Sequence, residues 1–232
     1  MKLMLLGATG LVGGELLQNL LQWPQLTRVY APCRRAPKQS HRKMVLLQSE
    51  LQALLSQDFD FELDGIINCL GTTIKKAGSQ EAFRMVDQQL PLLAAKQAQR
   101  AGAKLCFSVS AVGADAGSAF FYNRVKGELE QQLMQLNFAQ LYLYRPSLLL
   151  GARPEYRLGE HLASKIMPLT NPLLRGSASR YRAIEAKTLA QAIMADIGQQ
   201  ASQSTTAAGT SQPILRYYQQ MHALAMQTNA DL

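Results

Sequence analysis

The sequence predicts an α/β protein with a doubly wound parallel sheet and a small C-terminal substrate lobe. Short apolar segments alternate with segments of helical period as far as Pro146, which is the pattern of successive strand–helix–strand units. The first apolar run, from Leu3 to Leu6, is uninterrupted and is closed by a glycine, as in a central strand that is covered on both faces. The 232 residues are 47% hydrophobic and 17% charged, which is enough apolar mass for one substantial core.

The strands and helices of this sheet follow one another with short turns. Leucines recur with helical spacing after the first strand and stop before Pro24, which predicts the first helix. A later helix has Pro91 near its start and is ended by Gly102. The predicted strands are Leu3–Leu6, Arg28–Ala31, Met44–Leu47, Gly65–Cys69, Lys104–Val109 and Ala139–Tyr144. The predicted helices between them are Leu11–Leu21, Val86–Arg100 and Ser118–Leu136.

The regular alternation ends after Pro146, where glycine and prolines interrupt the pattern. We predict a helix over Glu185–Ile197, a flexible loop over 199–212 and a last helix over Ile214–Ala225. The loop is expected because that segment is rich in Gln, Ser, Thr and Ala without an apolar period. We therefore predict one domain, in which residues 1–150 form the core and residues 151–232 form the substrate lobe and C-terminal helices.

Cysteine, histidine and hydropathy patterns exclude several classes of protein. Three widely spaced cysteines predict no disulfide framework, and neither they nor the three histidines have metal-ligand spacing. No apolar run reaches the length of about eighteen residues that a membrane-spanning helix needs. The apolar N-terminus is short and leads into a glycine turn rather than a cleavage site, so we predict a buried strand rather than a signal peptide. Together these features predict a cytoplasmic protein with no metal.

A glycine-rich turn joins the first strand to the first helix, with the sequence Gly7-Ala-Thr-Gly10-Leu-Val-Gly13-Gly14. A pyrophosphate bound at a helix N-terminus needs backbone N–H groups without a Cβ in the way, which favours glycine at such positions. No Gly-Lys-Ser/Thr follows, which excludes a P-loop. The motif predicts a dinucleotide site; the alternative is a turn in which glycine serves only strand–helix packing.

Positive charge is concentrated just after the second strand. The formal net charge is +8, and six cations but no acid lie between Arg28 and Lys43. Where NAD-binding folds place an acid for the ribose hydroxyls, this chain has Arg34 and Arg35. Guanidinium groups match the geometry and charge of a phosphate. These arginines predict NADP(H) rather than NAD, and the alternative is a solvated basic loop.

A tyrosine and a lysine are four residues apart early in the predicted helix 118–136. Tyr122 and Lys126 therefore lie on one helical face. A neighbouring ammonium favours the phenolate form of a tyrosine, so that Tyr122 could act as acid and base at neutral pH, while Lys126 could also bind the nicotinamide ribose. Ser108 and Ser110 close the preceding strand, and one of these hydroxyls would polarise a substrate carbonyl. The alternative for the serines is ordinary hydrogen bonding at a strand end.

These residues resemble the short-chain dehydrogenase/reductase superfamily of Rossmann-fold proteins. Within it, Cys69-Leu-Gly-Thr-Thr73, Phe83-Arg-Met-Val-Asp87, Tyr122-Asn-Arg-Val-Lys-Gly-Glu128 and Tyr144-Arg-Pro146 are similar to the Tat-interacting-protein oxidoreductase family, and the likeness extends to about residue 197. The resemblance implies an NADPH binder with Ser110, Tyr122 and Lys126 as catalytic residues. The cofactor residues that it implies are Gly7, Thr9, Gly10, Leu11, Val12, Gly13, Arg34, Arg35, Leu70, Gly71, Tyr122, Lys126, Leu149 and Arg157.

Three positions depart from that pattern. Pro32 and Cys33 precede the arginines where a glycine is more usual, and Asp87 stands where many members have an asparagine that supports a proton-relay water. An acid at this position is expected to alter or abolish that relay.

Two functions of different classes follow. The first is an NADPH-dependent oxidoreductase that reduces a small carbonyl compound. The second, favoured by Asp87 and by the lack of a substrate motif after Pro146, is a non-catalytic NADP(H)-binding protein that acts on a protein partner. A nucleic-acid partner is not expected, because the cations after Pro146 are interrupted by acids and no aromatic ladder accompanies them. A membrane partner is not expected either, because no apolar run is long enough for a membrane-spanning helix.

Overall fold

The computed structural model describes residues 1–33, 40–151, 174, 176–202 and 212–230. Within these residues, no helix is long and apolar enough to cross a membrane.

A seven-stranded sheet in which every neighbouring pair is parallel forms the centre of the molecule. Its strands are β1 (Lys2–Leu6), β2 (Arg28–Cys33), β3 (Met44–Gln48), β4 (Gly65–Asn68), β5 (Leu105–Val109), β6 (Gln140–Tyr144) and β9 (Ile214–Arg216), in the spatial order β3-β2-β1-β4-β5-β6-β9. The order reverses between β1 and β4, which gives the doubly wound topology with its ligand crevice at that point. The predicted fold class is confirmed.

Helices cover both faces of the sheet. They are α1 (Leu11–Gln22), α2 (Leu51–Leu55), α3 (Ile74–Ala77), α4 (Gln80–Arg84), α5 (Leu90–Arg100), α6 (Phe121–Met134), α7 (Ala186–Ser202) and α8 (Tyr218–Ala230). A π-helical turn, Met85–Gln89, joins α4 to α5, and a 3-10 helix spans Gly176–Tyr181. A small second sheet pairs β7 (Leu149–Leu150) with β8 (Ile184–Glu185).

The alternation of side chains along β1 shows how the two faces are filled. Leu3 and Leu5 pack with α1, α7 and α8 in one apolar cluster, whereas Met4 and Leu6 pack with α5 and α6 in the other. Successive side chains of a strand point to opposite faces, so the unbroken apolar run predicted from the sequence is what a strand in the middle of three layers requires.

The C-terminal part differs from the prediction in two places. Residues 214–216 form the seventh strand of the main sheet, where the sequence predicted the start of a helix, and the helix begins only at Tyr218. Residues 199–202 belong to α7 and are not part of a loop, while 203–211 lie outside the described residues. A strand as short as β9 has too few residues to show a period of two, so its partner β6 decides its conformation.

The same region is tied to the sheet by a buried carboxylate. Asp196 of α7 has no exposed surface and accepts a hydrogen bond from the Tyr144 hydroxyl at 2.8 Å. Its other oxygen accepts from Nη2 of Arg216 at 2.7 Å. A buried charge of this kind is tolerated only because it is fully paired, and the pairing fixes β6, α7 and β9 relative to one another.

Candidate active site at the carboxyl edge of the sheet

The glycine turn lies at the carboxyl end of β1 and touches the turn that follows β4. Gly7 has φ +76°, a left-handed conformation that side chains other than glycine rarely adopt. A Cβ at this residue would lie 2.6 Å from the carbonyl oxygen of Cys69. The N–H of Gly10 closes the turn by donating to the carbonyl oxygen of Gly7 at 2.8 Å. Only glycine fits at position 7, for conformational and for packing reasons.

The first turn of α1 packs directly on this loop. A Cβ at Gly13 would lie 2.1 Å from the carbonyl oxygen of Gly7, whereas one at Gly14 would lie no closer than 3.8 Å to its surroundings. Gly10 is the N-cap of α1, and the helix start has neither a side-chain cap nor an acidic residue in its first turn. Thr9 and Gly10 are exposed, Leu11 is half-buried and Val12 is buried. The N–H groups at the start of α1 are thus the donors that an anionic group at this edge would meet.

Asn68, the last residue of β4, organises the turn beside the glycine loop. It is buried; its Nδ2 donates to Oγ of Ser108 at 3.1 Å, and its Oδ1 accepts from the N–H of Leu70 at 3.1 Å. Leu70 is half-buried and Gly71 is exposed at the end of this turn. The Ser108 hydroxyl therefore links β5 to β4 by accepting this hydrogen bond, and it is already engaged within the protein.

Ser110, one residue beyond β5, is in a different situation. Its N–H donates to the carbonyl oxygen of Tyr144 at 2.7 Å, which holds its backbone against β6. The residue is 7% exposed, and its Oγ has no hydrogen-bond partner among the described residues. Buried hydroxyls are rarely left without a partner, and exceptions call for a functional explanation. Of the two serines at this strand end, only Ser110 has a hydroxyl free for a ligand.

Tyr122 and Lys126 lie on one face of α6, as predicted from their spacing. Tyr122 is 40% exposed, and its ring centroid lies 5.8 Å from that of Phe83. The Lys126 side chain is 4% exposed, and its Nζ lies 2.8 Å from Oδ1 of Asp87. The tyrosine therefore reaches the surface while the lysine lies in the interior behind it.

Electrostatics keep Lys126 charged in spite of its burial. Burial alone lowers the pKa of its ammonium, but Asp87, Tyr122 and Glu130 act in the opposite direction. The net result is a pKa of Lys126 that is raised above its usual value. The raised pKa favours the ammonium form of Lys126, one helical turn from Tyr122 on the same face of α6.

Further charged groups continue along α6 away from the sheet edge. Glu130, one turn after Lys126, is 2% exposed and forms an ion pair with Arg145, whose Nε donates to Oε1 of Glu130 at 3.0 Å. Arg145 also donates to the Tyr217 hydroxyl at 2.8 Å. The hydrogen bond to Glu130 raises the pKa of the Arg145 guanidinium, against the effect of burial. The segment that follows β9 is thereby joined to α6.

The remaining predicted cofactor residues divide into two groups. Leu149 lies in β7 and packs, with Leu11 and Cys69, against the apolar cluster that contains α1. A Cβ at Gly151 would lie 2.7 Å from Cδ1 of Leu11, so the chain after β6 returns to the start of α1. Arg34, Arg35 and Arg157 lie outside the described residues.

The sequence did not predict what the side chains of Asn68 and Asp87 contact. Asp87 was singled out as a departure from the asparagine of related proteins, but its ion pair with Lys126 was not foreseen. The two residues are 39 positions apart, and the π-helical turn that aims Asp87 at α6 has no sequence signature. Asn68 had a signal of its own: a polar residue at the end of an apolar strand, next to the ligand crevice.

Comparison with solved structures finds the same fold in several enzymes. The structure of the UDP-Glc/GlcNAc 4-epimerase from Campylobacter jejuni has a TM-score of 0.67 and 12% identity, covering 100% of this chain and 84% of the epimerase. The oxidoreductase ylbE from Lactococcus lactis has a TM-score of 0.63 and 16% identity, with 100% and 98% covered. The human epimerase family protein SDR39U1, solved with NADPH, has a TM-score of 0.60 and 17% identity, with 94% and 74% covered.

Comparison with curated proteins finds closer relatives in sequence. Protein FMP52, mitochondrial, of Candida albicans is 35% identical over 172 residues, which covers 72% of this chain and 75% of that protein. The mitochondrial protein fmp52 of Emericella nidulans is 36% identical over 169 residues, covering 68% and 71%. No protein-family model matches the chain.

The fold is the Rossmann fold, in the form shared by short-chain dehydrogenases and sugar-nucleotide epimerases. The chain belongs to the family of the FMP52 proteins. The prediction of a cytoplasmic protein is wrong by this comparison, because the curated relatives are named as mitochondrial proteins. The absence of an obvious targeting signal was therefore a poor guide to the compartment.

Proposed function

We propose that this chain is an NADP(H)-dependent oxidoreductase that reduces a small carbonyl compound. One observation carries the proposal: the Ser110 hydroxyl is buried and has no partner among the described residues, at the same sheet edge as the glycine turn and the Tyr122–Lys126 pair. A free donor at that place suits a substrate oxygen. The proposal also draws on the resemblance of the sequence to the Tat-interacting-protein oxidoreductase family.

The glycine turn fits a nicotinamide dinucleotide. Close backbone contacts at Gly7 and Gly13 admit no side chain at these two positions, and the start of α1 has no side-chain cap of its own. Gly7, Gly10 and Gly13 would form the pyrophosphate turn with Thr9, Leu11 and Val12, and Leu70, Gly71 and Leu149 would line the cofactor. The choice of NADP(H) rests on Arg34 and Arg35 in the sequence, since proteins of similar fold are solved with NADPH in one case and with NAD in another. Arg157 is proposed as a further phosphate contact.

Three side chains would carry out the proton chemistry. Bound NADPH supplies the hydride. Ser110 Oγ donates a hydrogen bond to the substrate carbonyl oxygen and polarises the bond, and the Tyr122 hydroxyl donates the proton that this oxygen needs. The ammonium of Lys126 stabilises the phenolate that remains and binds the nicotinamide ribose.

Turnover is tested by following NADPH oxidation with a panel of aldehydes, ketones and quinones. The Tyr122→Phe variant is expected to lose at least about 100-fold in kcat, because it has no proton to donate. Tyr30→Phe is the matched control, since Tyr30 lies in β2 with its ring stacked on Phe61. Wild-type protein that binds NADPH but oxidises it with no member of the panel would refute the enzyme, and an active Tyr122→Phe would refute the mechanism.

Cofactor choice is tested by titrating NADPH and NADH against the protein. Arg34→Ala is expected to weaken NADPH binding at least about tenfold and to leave NADH binding unchanged, because a charge-assisted contact to the 2′-phosphate is lost. Arg28→Ala, at the opposite end of β2, is the control. Equal affinity of the wild type for both cofactors would contradict the assignment.

A second candidate function is a non-catalytic NADP(H)-binding protein that acts on a protein partner. It is favoured by the ion pair between Lys126 and Asp87, which engages the lysine where related enzymes have a neutral asparagine. The turnover experiment separates the two functions, since only the enzyme oxidises NADPH in the presence of a carbonyl substrate.

A further inference from the structure

Asp87 is a buried carboxylate whose two oxygens serve two different parts of the candidate site. The residue lies in the π-helical turn Met85–Gln89 and is 1% exposed. Its Oδ1 lies 2.8 Å from Nζ of Lys126, and its Oδ2 accepts a hydrogen bond from the N–H of Thr72 at 2.8 Å. A buried carboxylate is strongly unfavourable unless both oxygens are engaged by charged or polar partners.

The ammonium of Lys126 depends on this carboxylate. Its charged and titratable neighbours are Asp87 from the π-helical turn and Tyr122 and Glu130 from α6 itself. Glu130 is already occupied by Arg145 of the segment after β6. Asp87 is therefore the anion that lies in contact with Lys126 and pairs with it. Without Asp87, the buried ammonium would be left beside the Tyr122 hydroxyl and a glutamate already paired with Arg145.

The second oxygen holds the turn that follows β4. The N–H of Leu70 bonds to Asn68, and the N–H of Thr72 bonds to Asp87, so this turn is fixed by one side chain at each end. Gly71, between them, lies against the aspartate: a Cβ there would be 3.7 Å from its Oδ1. Leu70 and Gly71 are the residues proposed above to line the cofactor.

We propose that Asp87 is a positioning residue that holds Lys126 and the turn 70–72 as one unit, so that the catalytic lysine and the cofactor wall keep a fixed spacing. The inference rests on the proposed function for the role of Lys126. It changes the meaning of the departure from asparagine, because the acid at this position forms a direct ion pair with Lys126. The residue acts through Lys126 and the backbone of Thr72.

Two variants separate the two contacts of Asp87. Asp87→Asn keeps the shape and an oxygen that can accept from Thr72, but it removes the charge that faces Lys126. Asp87→Ala removes both. Asp196→Asn is the matched control, because Asp196 is also a fully buried, ion-paired carboxylate but lies among β6, α7 and β9.

Three quantities are measured on the full-length protein. The titration of Lys126 is followed by NMR on protein labelled at lysine Cε, with the signal assigned by its loss in Lys126→Arg. NADPH affinity is measured by fluorescence titration, and kcat is measured with a carbonyl substrate found in the panel above.

For Asp87→Asn, we expect the midpoint of the Lys126 titration to fall by at least about one pH unit, because the carboxylate no longer opposes the effect of burial on the pKa of Lys126. We expect kcat to fall at least about tenfold, with NADPH affinity within about threefold of wild type. Asp87→Ala should in addition weaken NADPH binding about tenfold, since the turn 70–72 loses its acceptor. Asp196→Asn should change none of the three quantities.

An unchanged Lys126 midpoint in Asp87→Asn, or an unchanged kcat in spite of a lowered midpoint, would overturn the proposal. If the wild type turns over no carbonyl compound, the proposed function fails, and the other two measurements decide on Asp87. A lowered midpoint together with weaker NADPH binding in Asp87→Ala would then still support the positioning role. If Asp87→Ala bound NADPH as tightly as the wild type does, the positioning role of Asp87 would be overturned.

Discussion

Replacement of Gly13 by alanine is the sharpest test of the glycine turn. The added Cβ would lie 2.1 Å from the carbonyl oxygen and 2.7 Å from the carbonyl carbon of Gly7. Both atoms belong to backbone, so no side chain can rotate away. To reach ordinary contact near 3.4 Å, the start of α1 and the turn must move apart by about 1.3 Å.

The size of the effect follows from two opposing contributions. Overpacking of this kind costs about 1–3 kcal/mol, and alanine gains up to about 1 kcal/mol over glycine in a helix. With the full propensity gain subtracted, we expect Gly13→Ala to lower the free energy of unfolding by up to about 2 kcal/mol, and to weaken NADPH binding because the N–H groups at the start of α1 are displaced.

Gly14→Ala is the control, one residue further along the same helix. Its Cβ would meet nothing closer than 3.8 Å, so only the helix-propensity gain remains. We expect an increase of up to about 1 kcal/mol in the free energy of unfolding. Both variants are measured by urea unfolding followed by circular dichroism, together with NADPH titration. If Gly13→Ala were as stable as Gly14→Ala, the packing argument for the turn would be wrong.

Two further predictions concern side chains of the site. Ser110→Ala should change the free energy of unfolding by less than about 0.5 kcal/mol, because its hydroxyl has no partner in the described part of the chain, yet it should abolish most turnover. Ser108→Ala should cost about 1–3 kcal/mol, because it leaves a buried amide donor unpaired. Urea unfolding and NADPH oxidation distinguish the two variants, and the opposite order of stabilities would contradict the assignment. Because the pKa of Lys126 is raised on folding, the stability from its ion pair with Asp87 is fully present below about pH 10.4 and is lost as the pH rises through the folded-state pKa. The difference in unfolding free energy between wild type and Asp87→Asn should accordingly be largest at neutral pH and narrow towards pH 11, and a difference that widens with pH would refute this.

Sequence patterns predicted every strand of the main sheet except the edge strand β9. The six strands β1 to β6 were predicted to within two residues at each end, because each combines an apolar run with a nearby turn residue. β9 was predicted as the start of a helix, because three residues carry no readable period. The helix predicted over Val86–Arg100 is preceded by α4, which begins at Gln80 where the Ser79 side chain accepts from the N–H of Ala82.

Within the candidate site, too, local patterns predicted some features and left others open. Glycine at positions 7 and 13 was predicted for a pyrophosphate turn, with strand–helix packing as the alternative. The structure shows the packing contacts that require glycine there, and the pyrophosphate site stays a prediction. The choice between Ser108 and Ser110 was open from the sequence. The structure favours Ser110, because Asn68 donates to the hydroxyl of Ser108 whereas that of Ser110 has no partner among the described residues.

The sequence by itself determined the layered α/β fold and the residues that gather at its carboxyl edge, because periodicity, glycine turns and i,i+4 spacing are local properties. Only the tertiary structure decided which charges meet. Asp87 and Lys126 are 39 residues apart in the chain but 2.8 Å apart in the fold. Such pairings depend on how α6 packs against the π-helical turn, and packing between distant segments is not encoded in any local pattern.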